Sequence, residues 1–354
     1  MADSKKILIT GTAGFIGFHL AARLLKEGFE VVGIDAVNSY YDVNLKLDRL
    51  RQHGIQINGA ESKNAINSTI FDSYKFYYLS IEDWPAVESI FNCEKPYAVV
   101  NLAAQAGVRY SLTHPREYIT SNIDGFLNIL EGCRHYDVKH LIYASSSSVY
   151  GLNTQLPFSV NDSVDHPISL YAATKKSNEL MAHTYSYLYN VPTTGLRFFT
   201  VYGPWGRPDM ALFLFVKSIL ADKPIQLFNG GDMIRDFTYI DDIVESISRL
   251  VGKPPKETDN KASIKNPSTS SAPYQVFNIG NNNPIKLLEF IKEIEYAIGR
   301  KAKIDLYPMQ PGDVRATHAD VRSLIEYIGY MPNTSISIGV QNFVKWYRNY
   351  YKGQ

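Results

Sequence analysis

This chain of 354 residues has few cysteines, little net charge and few long hydrophobic runs. Its two cysteines, Cys93 and Cys133, are too few for a disulfide framework, and we expect both to be reduced core residues. The first apolar run, residues 7–9, is too short for a signal peptide or a spanning helix, and no later run reaches membrane length, which favours a soluble cytoplasmic protein. A net charge of +1 gives no reason to expect a nucleic-acid partner, although a local site can still bind an anionic metabolite. No histidine spacing fits a metal site.

Short apolar runs alternate with longer amphipathic stretches in the first half of the chain. Segment 15–27 is typical of a helix, and the strand-like runs are 6–10, 30–35, 98–102 and 140–145. This alternation predicts an α/β fold with a Rossmann-like, doubly wound parallel sheet. After Gly195 the pattern becomes irregular, which indicates a smaller, mixed α/β substrate domain. We predict a first domain over 1–196 with a returning segment at 237–252, a second domain over 197–236 and 274–354, and a surface loop over 253–273.

A glycine-rich segment, Gly11-Thr-Ala-Gly14-Phe15-Ile16-Gly17, connects the first predicted strand to the first predicted helix. Gly11 permits the tight turn, Gly14 lets the backbone approach a pyrophosphate, and Gly17 lets the helix pack closely on the strand. The helix N-terminus offers N–H groups and a positive dipole end to the phosphates. We therefore predict a dinucleotide site formed by Gly11, Gly14, Phe15, Ile16 and Gly17.

Asp35 ends the second predicted strand, at the distance along the chain where an acid accepts from the adenosine ribose hydroxyls. A carboxylate there repels a 2′-phosphate, so we expect NAD rather than NADP as the cofactor. The alternative interpretation is that Asp35 is only a turn residue.

Tyr171 and Lys175 are four residues apart, so a helix would place the phenol and the ammonium on one face. The ammonium, with the cation of an oxidised nicotinamide, is expected to lower the pKa of Tyr171 toward neutrality. The phenolate would then take a proton from a substrate hydroxyl as hydride leaves the same carbon. This spacing is common by chance, but here it follows a dinucleotide motif and the four serines at 145–148, whose hydroxyls are placed to hold the substrate oxygen.

In these motifs the chain resembles the extended short-chain dehydrogenase/reductase family, over nearly its whole length. The segments that carry the resemblance are 11–17, 101–104, 145–151, 171–175 and 235–237. Three longer segments, 35–50, 104–111 and 197–210, are similar to the UDP-glucuronate 4-epimerases within that family. The resemblance implies an NAD-dependent isomerase that interconverts UDP-glucuronate and UDP-galacturonate through a 4-keto intermediate. The first domain would bind NAD, and the second the nucleotide sugar.

The resemblance also implies a role for each matching residue. Tyr171 is the base and then the acid, Lys175 tunes it and binds the nicotinamide ribose, and Ser146 takes the catalytic serine or threonine position. The residues expected against the cofactor are Leu102, Ala103 and Ala104, with Ser80 and Ile81 beside the adenine, where many relatives carry Asp in place of Ser80. The residues expected against the substrate are Arg235 at the diphosphate, Gln310 and Asp313 on the nucleoside side, and Ser147, Ser148, Thr200 and Arg207 around the sugar carboxylate. Arg207 has an alternative interpretation as a solvated loop arginine.

The end of the predicted strand before Val149 narrows the reaction. Relatives that dehydrate the sugar resemble Thr-Asp-Glu there, and relatives that decarboxylate UDP-glucuronate usually carry Glu immediately before Val-Tyr-Gly. This chain has Ser147 and Ser148 at those places, so both chemistries lose a participant. Epimerisation at C4 needs only Tyr171, Lys175, a hydroxyl and NAD, so no residue that it requires is missing.

Two alternative functions remain open from the sequence. One is a 4-epimerase of another UDP-hexose, such as UDP-glucose and UDP-galactose, and the other is a non-catalytic NAD-binding sensor. The family resemblance further implies a homodimer that associates through a helix bundle including the Tyr171 helix. We expect neither nucleic acid nor a membrane as a partner.

Overall fold

The computed structural model describes residues 5–57, 62–258 and 266–352. The strands are, in chain order, β1 Lys6–Thr10, β2 Glu30–Asp35, β3 Ser62–Asn67, β4 Tyr74–Tyr78, β5 Ala98–Asn101, β6 His140–Ser146, β7 Thr193–Phe198, β8 Thr200–Tyr202, β9 Ile225–Phe228, β10 Ile234–Tyr239, β11 Tyr274–Ile279, β12 Pro284–Lys286 and β13 Ile304–Tyr307. The α-helices are α1 Phe15–Lys26, α2 Val43–Gln52, α3 Trp84–Glu94, α4 Tyr110–Thr113, α5 Pro115–Ile119, α6 Gly125–His135, α7 Leu170–Tyr189, α8 Ala211–Leu220, α9 Ile240–Val251, α10 Leu287–Ile298, α11 Arg322–Ile328 and α12 Ile336–Tyr350. A π-helical turn, Thr120–Asp124, joins α5 to α6, and 3₁₀ turns span Ser147–Tyr150 and Asn229–Gly231.

Eight strands form one large sheet in the order β11-β7-β6-β5-β1-β2-β4-β3. All neighbouring strands in it are parallel except the edge strand β3, which pairs antiparallel with β4. The strand order reverses at β1, which lies between β2 and β5, and such a reversal opens a ligand crevice outside the carboxyl ends of the strands. The predicted Rossmann-like, doubly wound sheet is therefore confirmed.

Alternating side chains of the central strands bury two separate apolar clusters. On β1, Ile7 and Ile9 pack in the same cluster as residues of α1 and α9, whereas Leu8 packs in the cluster that contains residues of α3, α6 and α7. Since successive residues of a strand point to opposite faces, the helices cover the sheet on both sides. Sheets buried on both faces need nearly continuous apolar strands, which is what β1, β5 and β6 provide.

Two smaller sheets lie outside the large one, and they carry two of the residues predicted to bind substrate. Strand β10 pairs parallel with β8 and antiparallel with β12, and β9 pairs parallel with β13. Thr200 therefore begins β8 directly after the end of β7, and Arg235 lies on the neighbouring strand β10. Both small sheets come after residue 198, where the sequence pattern becomes irregular.

Strand β11 lies elsewhere than the sequence predicted. Residues 274–279 were expected in the second domain, but they pair with β7 along its whole length and complete the large sheet. The cause is that Val276, Phe277 and Ile279 bury apolar side chains when this strand pairs with the edge that β7 would otherwise expose. The division of the remaining chain into two domains stays a prediction.

Other expectations from the sequence have mixed outcomes. Cys133 is buried as expected, but Cys93 is exposed, because its position on α3 faces away from the sheet. Strand β3 lies in a polar stretch that gave no strand signal. The predicted loop 253–273 falls partly outside the described residues. In its described part, Thr269 forms an antiparallel bridge with Gln275 of β11. In the part of the chain that the structure describes, no helix is long and apolar enough to span a membrane.

Candidate active site

The turns that follow β1 and β5 form the floor of the crevice, and the side chain of Thr10 ties them together. Its hydroxyl donates to Oδ1 of Asn101 at 2.7 Å and accepts from the N–H groups of Leu102 and Ala103 at 3.1 and 3.0 Å. Thr10 is buried, and its hydroxyl makes all three of these hydrogen bonds. It therefore fixes the distance between the glycine turn and the residues expected to line the cofactor.

The glycine turn leaves no room for side chains. Gly11 has a φ of 79°, and a Cβ there would lie 2.9 Å from the backbone nitrogen of Ala103. A Cβ on Gly17 would lie 2.1 Å from the carbonyl oxygen of Gly11, which confirms the close approach of α1 to β1. Among the described residues, no side chain caps the N-terminus of α1 at Gly14, so its first N–H groups are available to a pyrophosphate.

Asp35 stands at the end of β2, beside the glycine turn. Its Oδ2 accepts from the N–H of Ala13 at 2.9 Å, and its Oδ1 accepts from the N–H of Val37 at 2.7 Å. Each carboxylate oxygen has a second lone pair, so both remain able to accept from ribose hydroxyls. Asp35 thus orients the glycine turn as well as lining the predicted ribose site.

A cavity of about 400 Å³ runs along this edge of the sheet. All the residues predicted to contact the cofactor line it, namely Gly11, Gly14, Phe15, Ile16, Gly17, Asp35, Ser80, Ile81, Leu102, Ala103, Ala104, Tyr171 and Lys175. The same cavity also reaches Ser146, Ser147, Thr200 and Arg207. One continuous space therefore joins the glycine turn to the predicted catalytic residues.

Tyr171 lies in the first turn of α7, and its hydroxyl is hydrogen-bonded to the side chain of Ser146 at the end of β6. Ser169 caps this helix through the N–H of Ala172 at 3.1 Å, which fixes where the helix begins. The ring of Tyr118 packs edge-on against that of Tyr171, with 6.0 Å between their centroids. The phenol is thus held in one orientation by contacts on two sides.

The predicted lowering of the pKa of Tyr171 by Lys175 is not found among the protein's own groups. Burial raises the pKa of Tyr171 above its ordinary value, and the hydrogen bond with Ser146 and the charge of Arg207 offset only part of that rise. Lys175 is buried and donates to the carbonyl oxygen of Ala144 at 2.9 Å. Burial lowers its own pKa to about 8, so its ammonium is poised to lose a proton near neutral pH.

A second cavity, of about 830 Å³, adjoins the first on the side of the small sheets. It is lined by four of the residues predicted to bind substrate, which are Thr200, Arg207, Arg235 and Asp313. The side chain of Asp313 pairs with Arg109 at 2.8 Å across this cavity, and the guanidinium of Arg109 lies 4.4 Å from the centre of the Phe228 ring. A cationic group stacked on an aromatic ring is well suited to contact a nucleotide.

Two predicted substrate residues are not brought into these cavities. Ser148 does not line either cavity, and its hydroxyl and its N–H both donate to Oγ of Ser146, at 2.9 and 3.1 Å. Ser148 therefore orients the predicted catalytic hydroxyl. Gln310 also lies outside both linings, where its carbonyl oxygen accepts from the N–H of Asp313 at 3.2 Å in a tight turn.

Arg207 is not a solvated loop arginine, because it is part of a three-residue chain of polar contacts. Its Nε and Nη2 donate to the two carboxylate oxygens of Asp209 at 3.0 and 2.5 Å, and the hydroxyl of Tyr40 donates to the same carboxylate at 3.1 Å. Arg207 lines both cavities, so its guanidinium lies at the boundary between the cofactor and substrate sides.

Several lining residues were not predicted as site residues. Lys46 of α2 is buried in the cofactor cavity and donates to the carbonyl and side-chain oxygens of Asn38, both at 2.6 Å. Burial lowers the pKa of Lys46 to about 8, although the negative charge of Asp35 acts to raise it. The available signal is the segment 35–50, which resembles the epimerases, although the resemblance implies no role for Lys46. Of the residues that the structure describes, no group of acidic, cysteine and histidine side chains is arranged to hold a metal ion.

Protein CapI of Staphylococcus aureus is 56% identical over 348 residues, which cover 98% of this chain and 99% of that protein. A probable UDP-glucuronate 4-epimerase of Rhizobium meliloti (strain 1021) is 48% identical, with 98% of each chain covered. The crystal structure of UDP-glucuronic acid 4-epimerase from Bacillus cereus, in complex with UDP-glucuronic acid and NAD, superimposes with a TM-score of 0.83 at 31% identity and covers 98% of this chain and 100% of that chain.

A family profile matches residues 7–280, which include the glycine turn, the cofactor cavity and the Tyr171 helix. The match confirms the predicted family, its NAD dependence and its enzymatic character. On this evidence the chain belongs to the NAD dependent epimerase/dehydratase family.

Proposed function

We propose that the protein is an NAD-dependent UDP-glucuronate 4-epimerase, which interconverts UDP-glucuronate and UDP-galacturonate. The observation that carries the proposal is the composition of the cavity beside Tyr171. Ser146, Ser147 and Thr200 line it with hydroxyl groups, and Ser147 and Ser148 stand where the dehydrating and decarboxylating relatives carry a carboxylate. Such a site fits removal and return of hydrogen at C4 and offers no acid or base for elimination.

The residues around the glycine turn fit NAD. The turn excludes side chains, the N-terminus of α1 offers N–H groups, and the Asp35 carboxylate is placed to accept from ribose hydroxyls. NAD, when bound there, supplies the acceptor for the hydride of C4 and the source from which it returns. The chain itself has to bind the sugar, move one proton and keep water away.

Tyr171 moves the proton in both half-reactions. Its oxygen takes the proton of the C4 hydroxyl as the C4–H bond breaks, and it gives that proton back to the 4-keto oxygen when the bond forms on the other face. Ser146 donates to the same substrate oxygen and holds it beside the phenol. Because burial raises the pKa of Tyr171, its phenolate form would depend on cations beside it, namely the ammonium of Lys175, which is protonated below its pKa of about 8, and the oxidised nicotinamide of bound NAD.

The sugar carboxylate needs a separate site, because a 4-keto acid with its carboxylate at C6 loses CO₂ when the C5–C6 bond lies perpendicular to the carbonyl plane. Ser147 and Thr200 line the same cavity and donate neutral hydrogen bonds that hold the carboxylate away from that geometry. Arg207 adds a charge whose field Asp209 partly compensates. The diphosphate would lie against Arg235, whose pKa is lowered by burial and which stays cationic at neutral pH.

The comparisons support this choice of substrate. The relative from Rhizobium meliloti and the structure from Bacillus cereus are both named for glucuronate 4-epimerisation, and UDP-glucuronate 4-epimerases of Arabidopsis thaliana are 42–43% identical to this chain. A UDP-glucose 4-epimerase of Thermotoga maritima is also similar in structure, with a TM-score of 0.80 at 28% identity. The fold is therefore compatible with either sugar, and the hydroxyl-lined pocket favours the carboxylate.

The test is incubation of the purified protein with UDP-glucuronate and no added NAD, with the products resolved by NMR. The proposal predicts UDP-galacturonate without accumulation of NADH, because the hydride returns in each cycle. A parallel incubation with UDP-glucose measures the requirement for the carboxylate. Equal turnover of the two sugars would support the UDP-hexose alternative, stoichiometric NADH would indicate a dehydrogenase, and no turnover of any UDP-sugar would support a binding protein.

We also propose a homodimer that forms through α6 and α7. Five large apolar side chains on these helices are exposed by 40–67%, namely Leu127, Leu180, Tyr187, Leu188 and Tyr189. An apolar surface of this kind usually marks a protein contact. Light scattering should give twice the chain mass for the wild type and the single mass for Leu180→Glu. Tyr296→Glu, at a 77% exposed position of α10, is the matched control and should leave the dimer intact.

A further inference from the structure

Arg49 is a fully buried cation that contacts two separate loops of the active site. It lies on α2 with no exposed surface. Its Nη1 donates to the carbonyl oxygen of Ala13 at 2.8 Å and to the hydroxyl of Tyr41 at 2.7 Å, and its Nη2 donates to the carbonyl oxygens of Trp205 and Gly206 at 2.7 and 3.4 Å. Its Nε has no hydrogen-bond partner among the described residues.

The first of these loops is the glycine turn. Ala13 lies between Gly11 and Gly14, and its peptide groups are held from two sides, since its N–H donates to Asp35 while its carbonyl accepts from Arg49. A displacement of the Arg49 guanidinium therefore moves the backbone that faces the pyrophosphate of the cofactor.

The second loop, residues 203–207, carries Arg207 into the two cavities. Trp205 has a left-handed φ of 59°, and its carbonyl and that of Gly206 are the ones that Arg49 holds. His19 of α1 adds a further link through Nε2, which bonds to the carbonyl oxygen of Pro204 at 2.9 Å. Burial lowers the pKa of His19 to about 4, so the ring is neutral and donates this bond at neutral pH. Side chains of α1 and α2 thus hold three consecutive carbonyls ahead of Arg207.

A structural role alone does not account for the chemistry of Arg49. No carboxylate is bonded to it in the described chain, and a buried charge without one is costly. What an apolar residue cannot do is hold carbonyls of two loops at once. A guanidinium has several donors in a fixed plane, which suits it to bridge them.

We propose that Arg49, assisted by His19, is a positioning residue that couples the glycine turn to the loop 203–207. Occupation of the NAD site then orders the backbone ahead of Arg207, and the substrate side is formed only when the cofactor is in place. Arg49 contacts neither ligand in this scheme and acts through Ala13 and through Trp205.

The test is hydrogen–deuterium exchange of protein freed of NAD by charcoal, measured before and after NAD is added back. In the wild type, NAD should slow exchange both in the glycine turn and at the amides of 205–210. Arg49→Lys keeps the charge, but all its donors are on one nitrogen, which cannot reach both loops at once. NAD should therefore still protect the glycine turn from exchange and no longer protect the amides of 205–210. Arg51→Gln is the matched control, because Arg51 is on the same helix, is exposed, and pairs with Asp48 in the part of the chain that the structure describes.

A kinetic readout separates coupling from a loss of folding. With NAD saturating, Arg49→Lys should raise the KM for the UDP-sugar about ten-fold, the effect of one charge-assisted hydrogen bond, with kcat within about two-fold. If Arg49→Lys does not fold, His19→Phe is the second variant, and it should reduce the NAD-dependent protection of 205–210 by about half. Equal protection of 205–210 in the wild type and in the folded variants would overturn the proposal, and so would its absence in the wild type. Exchange with NAD alone does not involve the sugar, so these results stand apart from the proposed substrate.

Discussion

Replacement of Glu179 by glutamine tests how the catalytic helix is held against the sheet. Glu179 is one turn after Lys175 on α7, and its side chain is 2% exposed. Its two oxygens accept from Nε and Nη2 of Arg197, both at 2.9 Å, and Oε1 also accepts from the hydroxyl of Ser145 at 2.7 Å. Burial opposes ionisation of Glu179, but Arg197 more than offsets it and holds the pKa of the carboxyl below its ordinary value.

Glu179→Gln keeps the shape of the side chain and one acceptor oxygen, but it removes the charge and puts an NH2 donor in place of the other oxygen. The guanidinium of Arg197 then stays buried without this counter-charge, with the amide oxygen and the Tyr150 hydroxyl, at 3.1 Å, as neutral acceptors. Breaking a buried ion pair from one side costs about 3–5 kcal/mol. That is a large fraction of the roughly 5–15 kcal/mol by which a folded protein is usually stable. Since Ser145 and Lys175 belong to the same two elements, the loss also loosens the contact between α7 and β6.

The assay is urea unfolding followed by tryptophan fluorescence, with NAD held at one saturating concentration because a bound ligand adds to the apparent stability. Lys176→Gln is the matched control: Lys176 lies 3.9 Å from the same carboxylate but is partly exposed, and its loss should cost less than about 1 kcal/mol. If Glu179→Gln is no less stable than Lys176→Gln, the buried pair does not hold the catalytic helix and this reasoning is wrong.

Four further outcomes are expected. Tyr171→Phe should lower kcat about 10²–10⁴-fold with little change in substrate affinity, and a variant that keeps most of its turnover would remove the phenol from the mechanism. Asp35→Asn, which keeps one acceptor for the loop N–H groups, should narrow the preference for NAD over NADP, as measured by the ratio of their dissociation constants; an unchanged ratio would place the selecting contact elsewhere. Thr200→Ala should release a decarboxylated UDP-4-keto-pentose, detected by mass spectrometry, and leave NADH on the enzyme; a simple loss of rate without either product would make Thr200 an ordinary binding contact. Burial lowers the pKa of both His53 and His140 to about 4, so the unfolded chain takes up protons near pH 6.5 before the folded one does, and urea unfolding at pH 5 should show a loss on the order of 2 kcal/mol per histidine relative to pH 7, whereas equal stability at the two pH values would contradict the burial effect.

The residues predicted to contact the cofactor all line one cavity, because each signal that points to them is local. The turn at Gly11 and the close approach at Gly17 depend on the absence of a side chain at single positions, and Asp35 is placed by the end of one strand. The parallel sheet follows from the alternation of strands and helices. All of these features can be recognised in the sequence without knowledge of tertiary contacts.

The parts that were missed depend on contacts between distant segments. Strand β11 could not be assigned, because only the free edge of β7 shows where its apolar face belongs. The pKa of Tyr171 was expected from its spacing to Lys175, but burial by surrounding elements determines its direction. Ser148 resembled a substrate contact by its position in the serine run, and the 3₁₀ turn directs its hydroxyl to Ser146.

The position of β11 limits how this protein can be recombined with its relatives. A chimera joined once, after β7, would take β11 from the second parent and set a foreign strand against the six-residue edge Thr193–Phe198 of the first. The same constraint applies to helix α9, because it packs with α1 beside the large sheet although it comes after β8 and β10 in the chain. Exchange of the sugar-binding portion therefore requires two separate fragments, one on each side of the α9–β11 stretch, with that stretch retained from the parent that supplies the sheet. A library built with these three junctions should yield folded enzymes far more often than one built with a single crossover.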